Sequence, residues 1–301
     1  MSNGSIWKQE GSKNTILTIL IATLITIIAT LILNPFDFNF TDSAITGSKI
    51  IPFWALTIFR TLVAIGGILT IVYIVSFVKR DALLYNTTSK DFENIQFAGL
   101  WRLSTFTSWC FAGLSLAFTL LAICSWAEIL DFSIPHIVLK LTILMFPVIY
   151  SSSLFVTIVV TYILIPETQR SGRPLENWFK IPEQIMHNLN TIVLTMELVF
   201  GNIPINFDVF TLVILFGISY IIFAAYNEKR TKIYFYSFLD PRGNRSPLIH
   251  IALLAVSLIC FVAVFIANLA LNQWHLQTTF LLIIGIPFIL YVKMPKTITN
   301  K

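Results

Sequence analysis

Charge is scarce in this chain of 301 residues: 15 are acidic, 20 basic, and the two kinds together make 12%. A water-soluble domain gives about a quarter of its residues to Asp, Glu, Lys and Arg, so the shortage excludes an ordinary soluble fold. Cysteine is nearly absent as well. Cys110, Cys124 and Cys260 sit singly within apolar runs, with no CxxC and no Cys/His ligand spacing. That excludes a disulfide framework and a zinc site, and we expect neither metal nor cofactor. No internal repeat, low-complexity tract or soluble domain interrupts the chain.

What the chain does hold is apolar: 56% of it is hydrophobic, in long uninterrupted runs, with a mean hydropathy of +0.80. The runs predict an all-α fold, a polytopic transmembrane helix bundle forming one membrane domain over 1–301. About eight spans are expected, at 15–33, 50–78, 99–127, 137–165, 182–200, 208–226, 247–271 and 278–292. The last is marginal in length. The first has 19 uncharged residues and ends at Asn34-Pro35 without a small-residue cleavage site, which reads as a retained anchor rather than a signal peptide.

A net charge of +5 raises the question of an anionic partner, and the distribution of charge answers it. Sixteen Lys and Arg fall in alternate connections: Lys8 and Lys13 at the amino end, the 79–98, 166–180 and 227–246 loops, and Lys293, Lys296 and Lys301 in the tail. The other loops hold Lys49 and Lys140 only. This alternation puts both termini in the cytoplasm. Short cytoplasmic loops are ordinarily basic, so membrane lipids are the expected partners and nucleic acid is not. The expected location is integral and multi-pass, in the plasma membrane of a bacterium or in an endomembrane or the plasma membrane of a eukaryote.

Polar side chains within an apolar span are costly to insert and mark a site by default. The run from Ile185 to Thr191 holds His187, Asn188, Asn190 and Thr191, with Glu197 beyond. At about 100° per residue, His187, Asn190, Thr191 and Glu197 share one helix face. Glu197 lies about 15 Å further along the axis, too far to orient the imidazole. Depth then sorts the partners. His187 is roughly 9 Å from the cytoplasmic end of its span, Thr105 and Thr107 are at a similar level, and so is His250. Thr57 is near the other end and cannot reach it. A hydroxyl beside a neutral imidazole is the minimum for nucleophilic acyl transfer, in which His accepts the proton and Thr attacks. The competing reading is that a membrane Thr bonds back to the carbonyl one turn earlier. Arg60 and Glu197 fall in the outer half, as an ion pair or as the floor of a polar path. Arg102, at the inner mouth, is either a snorkelling arginine or a holder of a lipid phosphate or fatty carboxylate. The aromatic loop from Tyr234 to Gly243 anchors at the interface or caps the site.

From Trp101 to about Asp240 the chain resembles the androgen-induced-gene family of integral membrane proteins, whose characterised animal members are threonine-type hydrolases of fatty acid esters of hydroxy fatty acids. Trp101-Arg102-Leu103-Ser104-Thr105-Phe106 is similar to the family's Trp-Lys-Phe-Leu-Thr-Phe segment, where the Thr is the nucleophile, which implies that role for Thr105. The family's catalytic His precedes an acidic residue by ten positions, as His187 precedes Glu197. Phe146-Pro147-Val148 matches a Phe-Pro-Val between them, and the stretch from Tyr236 to Asp240 is similar to a Tyr-Pro-Phe-Leu-Glu/Asp loop. Here Ser237 replaces that proline and Ile192 stands where a proline tends to follow the His. The family has a six-helix core, so the first and last spans are additions.

The reading that results is an integral membrane hydrolase of lipid esters with a Thr105–His187 pair on the cytoplasmic side, acting on a lipid-like ester. Asn188, Asn190 or backbone N–H groups are the candidate oxyanion donors. Asp240 or Glu183 is the candidate carboxylate, and Arg102 and His250 are possible supporting groups. The rivals are a transporter or lipid-binding protein with a polar path through His187, Glu197 and Arg60, and a noncatalytic scaffold.

Overall fold

The computed structural model describes residues 10–37, 43–170 and 175–291. Lys8, Arg173, Lys293, Lys296 and Lys301 of the charge pattern lie outside the described residues, as do the two chain ends. The expected apolar runs become eight helices: α1 (Glu10–Leu33), α2 (Phe53–Phe77), α3 (Phe106–Ile129), α4 (His136–Arg170), α5 (181–200), α6 (Phe207–Thr231), α7 (Ser246–Gln273) and α8 (His275–Ile289). Six of them, α1 to α4 with α6 and α7, are long and apolar enough to cross a membrane, which fits a multi-pass integral membrane protein. α5 carries too many polar residues to join them, and α8 is 15 residues long. A helix satisfies its own backbone, the condition for burial in lipid.

α4 is the axis of the bundle, packed by α3, α5, α6 and α7. Its apolar window is 83% buried, against 6% for α1, so the two have different neighbours. α4 packs against protein, whereas α1 turns Leu17, Leu20, Leu24, Ile28 and Leu31 outward, an apolar face suited to lipid. α4 runs through Pro166 to Arg170, past the expected end at 165, because residues Val160–Leu164 form a π turn ahead of the proline. Such a bulge relaxes the backbone ladder where a proline has no N–H to give.

Two expectations are corrected at one end of the bundle. The 79–98 connection is a β-hairpin rather than a loop: β1 (Arg80–Asn86) pairs antiparallel with β2 (Asp91–Phe97), from Arg80 opposite Phe97 to Asn86 opposite Asp91. β3 (Ile233–Tyr234), from the 227–246 connection, adds to β1, so a small three-stranded sheet tops the all-α bundle. Asn86 Oδ1 accepts the Thr88 N–H at 2.8 Å and Lys90 takes a left-handed φ of 59°, which together turn the hairpin. Leu84, Phe97 and Ile233 seal its underside with Trp101 and Phe235. The third helix also begins later than expected. Gly99–Ser104 is a 3-10 turn and Thr105, with extended backbone, is the N-cap of α3.

Candidate functional site

Beneath the sheet lies a cavity of about 550 Å³. Its walls come from the hairpin, the first turn of α3, the start of α5, a 3-10 turn at Glu176–Phe179 and the Phe235–Phe238 loop. The aromatic loop is thus one wall of the cavity, where the sequence left anchoring and capping both open.

Thr105 reaches this cavity from its cap position. Its Oγ1 accepts the Ser108 N–H at 3.2 Å and lies 2.8 Å from Ser108 Oγ. Ser108 Oγ in turn donates to Arg102 O at 2.8 Å, so the proton between the two hydroxyls is the threonine's. An N-cap hydroxyl of this kind satisfies one of the N–H groups a helix start leaves over. Of the two readings of this threonine, then, the back-bonded one does not hold: Thr105 caps forward.

His187 sits in a π turn, Ile185–Leu189, two residues after the helix-starting Glu183 and Pro182 segment. Asn190 N–H bonds Ile185 O across that turn, and the His187 carbonyl accepts Thr157 Oγ1 at 2.6 Å. The π turn adds one residue to the expected regular helix. His187, Asn190, Thr191 and Glu197 are all buried, but they meet different neighbours. Asn190 and Thr191 bond to Thr157 of α4, Glu197 bonds to Arg60 of α2, and the His187 ring lies against Trp178, centroids 5.6 Å apart. His187 Nδ1 is buried without a hydrogen-bond partner.

The buried carboxylate of the cavity is Glu183, held by Arg80 Nη1 at 2.6 Å and Arg102 Nη2 at 3.3 Å. Arg80 lies over the Trp178 ring and Arg102 over the Phe97 ring. Burial holds the Arg102 guanidinium below its ordinary pKa, while Glu183 pulls the other way. Burial likewise raises the Tyr236 phenol, whose hydroxyl sits against Thr107.

Thr105, Thr107, Arg102, Glu183 and His187 therefore line one cavity, whereas His250, expected at a similar depth, does not. The other candidates are spent elsewhere. Asn188 Nδ2 donates to Gln184 Oε1 at 2.7 Å and Tyr291 O at 3.0 Å; Asn190 Nδ2 donates to Met186 O at 2.8 Å. Asp240 pairs with Arg242 through two bonds of 2.7 Å, and His250 Nδ1 bonds Ser246 O at 2.8 Å. None of these four is among the described residues that line the cavity. Thr57 donates to Phe53 O near the opposite end, away from His187. Sequence reasoning missed Arg80, Trp178 and Ser108. The first was counted as topology, and nothing set Ser108 apart from the neighbouring hydroxyls or Trp178 from the other aromatics of the loops.

An apolar groove of about 660 Å³ opens between α3 and α6 over α4, walled by Trp109 and Phe216, and shares Ser108 with the polar cavity. At the far end of the bundle Arg60 and Glu197 form a fully buried pair, with Arg60 Nη1 also donating to Ser125 Oγ at 2.7 Å and Ile45 O at 3.0 Å. Between the two ends, hydroxyls join α4 to α5: Tyr150 to Thr195 at 2.7 Å and Thr157 to Thr191 at 2.6 Å. The chain matches no family model, no curated protein and no solved structure.

Proposed function

We propose that the chain hydrolyses an ester of a lipid-soluble substrate in the cavity beneath the sheet, with Thr105 as nucleophile and His187 as general base. The observation that carries this reading is that a hydroxyl and an imidazole distant in sequence line one cavity, which shares Ser108 with an apolar groove. The groove suits an acyl chain and the cavity suits the ester. Thr105 has its oxygen bonded to Ser108 and not to His187, so its hydroxyl swings to the imidazole once substrate enters. The alkoxide then attacks the ester carbon, His187 returns the proton to the leaving alcohol, and water repeats the cycle on the acyl-threonine to release the acid. The Ser108 N–H favours charge on Thr105, and we assign the oxyanion to the first N–H groups of α3, since the Asn188 and Asn190 amides are engaged. The likeness to the androgen-induced-gene family supports the same two residues in the same roles.

A second reading, a polar path from His187 to Glu197 and Arg60, draws support from the hydroxyls between α4 and α5. Those hydroxyls bond to one another and to carbonyls, and Arg60 is closed in on its nitrogens, which suits packing better than passage. The test is to purify the chain in detergent and expose it to a serine/threonine-hydrolase phosphonate and a panel of lipid esters, beside Thr105→Ala and His187→Ala. Labelling and turnover in the wild type, with both reduced at least about a hundredfold in each variant, are expected. Absence of both in the wild type, or full activity in both variants, removes the reading; loss confined to Thr107→Ala moves the nucleophile.

A further inference from the structure

We propose that the same cavity holds the carboxylate of a long-chain acid on Arg102 and His187, with the chain in the groove between α3 and α6. Resting on the hydrolase reading, this makes the acid released by hydrolysis a ligand that occupies the site and slows the next turnover; as a binding site it stands without any turnover.

Among the described residues few buried polar side-chain atoms lack a partner, and two of them belong to this cavity: Arg102 Nε and His187 Nδ1. Both side chains line it, and they are 3% and 5% exposed. A guanidinium has five N–H donors and a buried one leaves donors unmade only at a cost, yet Glu183 meets Arg102 at a long 3.3 Å and meets Arg80 at 2.6 Å. One carboxylate is thus shared between two guanidiniums, and a single positive charge is left over in a desolvated place. The ligand that completes it is singly negative and accepts hydrogen bonds from a fork and an imidazole, which is what a carboxylate does.

The other charged groups of the lining, Asp81 and Glu167, are exposed at the mouth. There water and salt screen them, so the charge on the floor is matched by one negative charge, and a carboxylate is preferred to a doubly charged phosphate monoester. A small apolar pocket of about 60 Å³ shares Thr107, Leu164, Tyr236 and Phe238 with the cavity, too little room for a long chain; the groove of about 660 Å³ supplies that room. The groove shares Ser108 with the cavity, is lined by Leu103, Ala112, Leu116 and Met145 among others, and lies on an outward apolar face of the helices. A chain in that groove places its head beside Thr105.

The experiment measures binding of a radiolabelled saturated long-chain acid to the purified protein, with its methyl ester, the matching alkyl phosphate, acetate and inorganic phosphate as competitors. The acid is expected to bind at least about tenfold more tightly than the ester, a difference of about 1.4 kcal/mol, with acetate and inorganic phosphate failing to compete. Arg102→Gln should abolish the preference of acid over ester. If that variant does not fold, Arg80→Gln, at a partly exposed arginine, should reduce the preference several-fold. Ala112→Trp, which fills the groove and leaves the charges alone, should weaken acid and ester alike. Equal binding of acid and ester by the wild type, or an unchanged preference in the arginine variant that folds, overturns the proposal, and tighter binding of the alkyl phosphate overturns the choice of carboxylate. Acid binding without ester turnover defeats the hydrolase reading alone; turnover without a preference for the acid defeats this one alone.

Discussion

Arg60 and Arg102 are both buried, and each faces a glutamate, but their donors are used differently. Arg60 Nε reaches both Glu197 oxygens at 3.2 and 3.1 Å, and Nη1 is taken by Ser125 and Ile45. Arg102 meets Glu183 through Nη2 at 3.3 Å, has an Nε without a partner, and lines a cavity. The first is a closed pair that holds α2 to α5, and the second is a charge left available. The residue types do not separate a structural ion pair from a site; the count of satisfied donors does.

The comparison breaks most visibly at the closed pair. Arg60→Met leaves Glu197 charged and alone among apolar groups, and is expected to cost about 3–5 kcal/mol, seen as a large fall in the unfolding midpoint in detergent. Adding Glu197→Leu should restore most of the loss, because the pair is paired mainly with itself. A midpoint unchanged by Arg60→Met would show that the pair contributes nothing to the fold.

A smaller effect sharpens the same contrast. Gly201 follows α5, and a Cβ there would run into Glu197 Oε1, 2.9 Å from Glu197 O and 3.2 Å from Arg60 Nη2. Gly201→Ala should therefore cost about 1–3 kcal/mol by displacing the pair. No comparable crowding guards Gly99, where a Cβ meets nothing within 4 Å; its left-handed φ of 63° is what requires glycine, at the turn into Arg102.

The helices were legible because a membrane span needs only length and apolarity, and both can be read along the chain. The hairpin was legible too, in the alternation of Glu93, Ile95 and Phe97 and the polar turn from Asn86 to Lys90, but Lys79, Arg80 and Lys90 drew the reading to charge and away from period two. The π turns were not. An inserted residue leaves no periodic mark in an already apolar run; His187, Asn190, Thr191 and Glu197 are all buried, but which neighbour each meets could not be read from their spacing. Depth allowed Thr105 and Thr107 to share a cavity with His187, as they do, but it allowed His250 equally, which lies elsewhere. The unmet hydrogen bonds of Arg102 Nε and His187 Nδ1 were not legible, since what fails to reach an atom is a property of every neighbouring element.

The smallest expected change in stability is at Thr105, and it separates cap from nucleophile. Thr105→Ala removes the acceptor of the Ser108 N–H and should cost about 1 kcal/mol, an ordinary N-cap loss. Thr105→Asn keeps an acceptor at that position and should unfold with the wild type. If the threonine is a nucleophile, both variants lose ester hydrolysis by at least about a hundredfold in spite of their different stabilities. If it is only a cap, activity follows stability and the asparagine variant retains it. A site at an available charge should tolerate such substitutions in its fold and not in its chemistry, the reverse of what Arg60 and Glu197 allow.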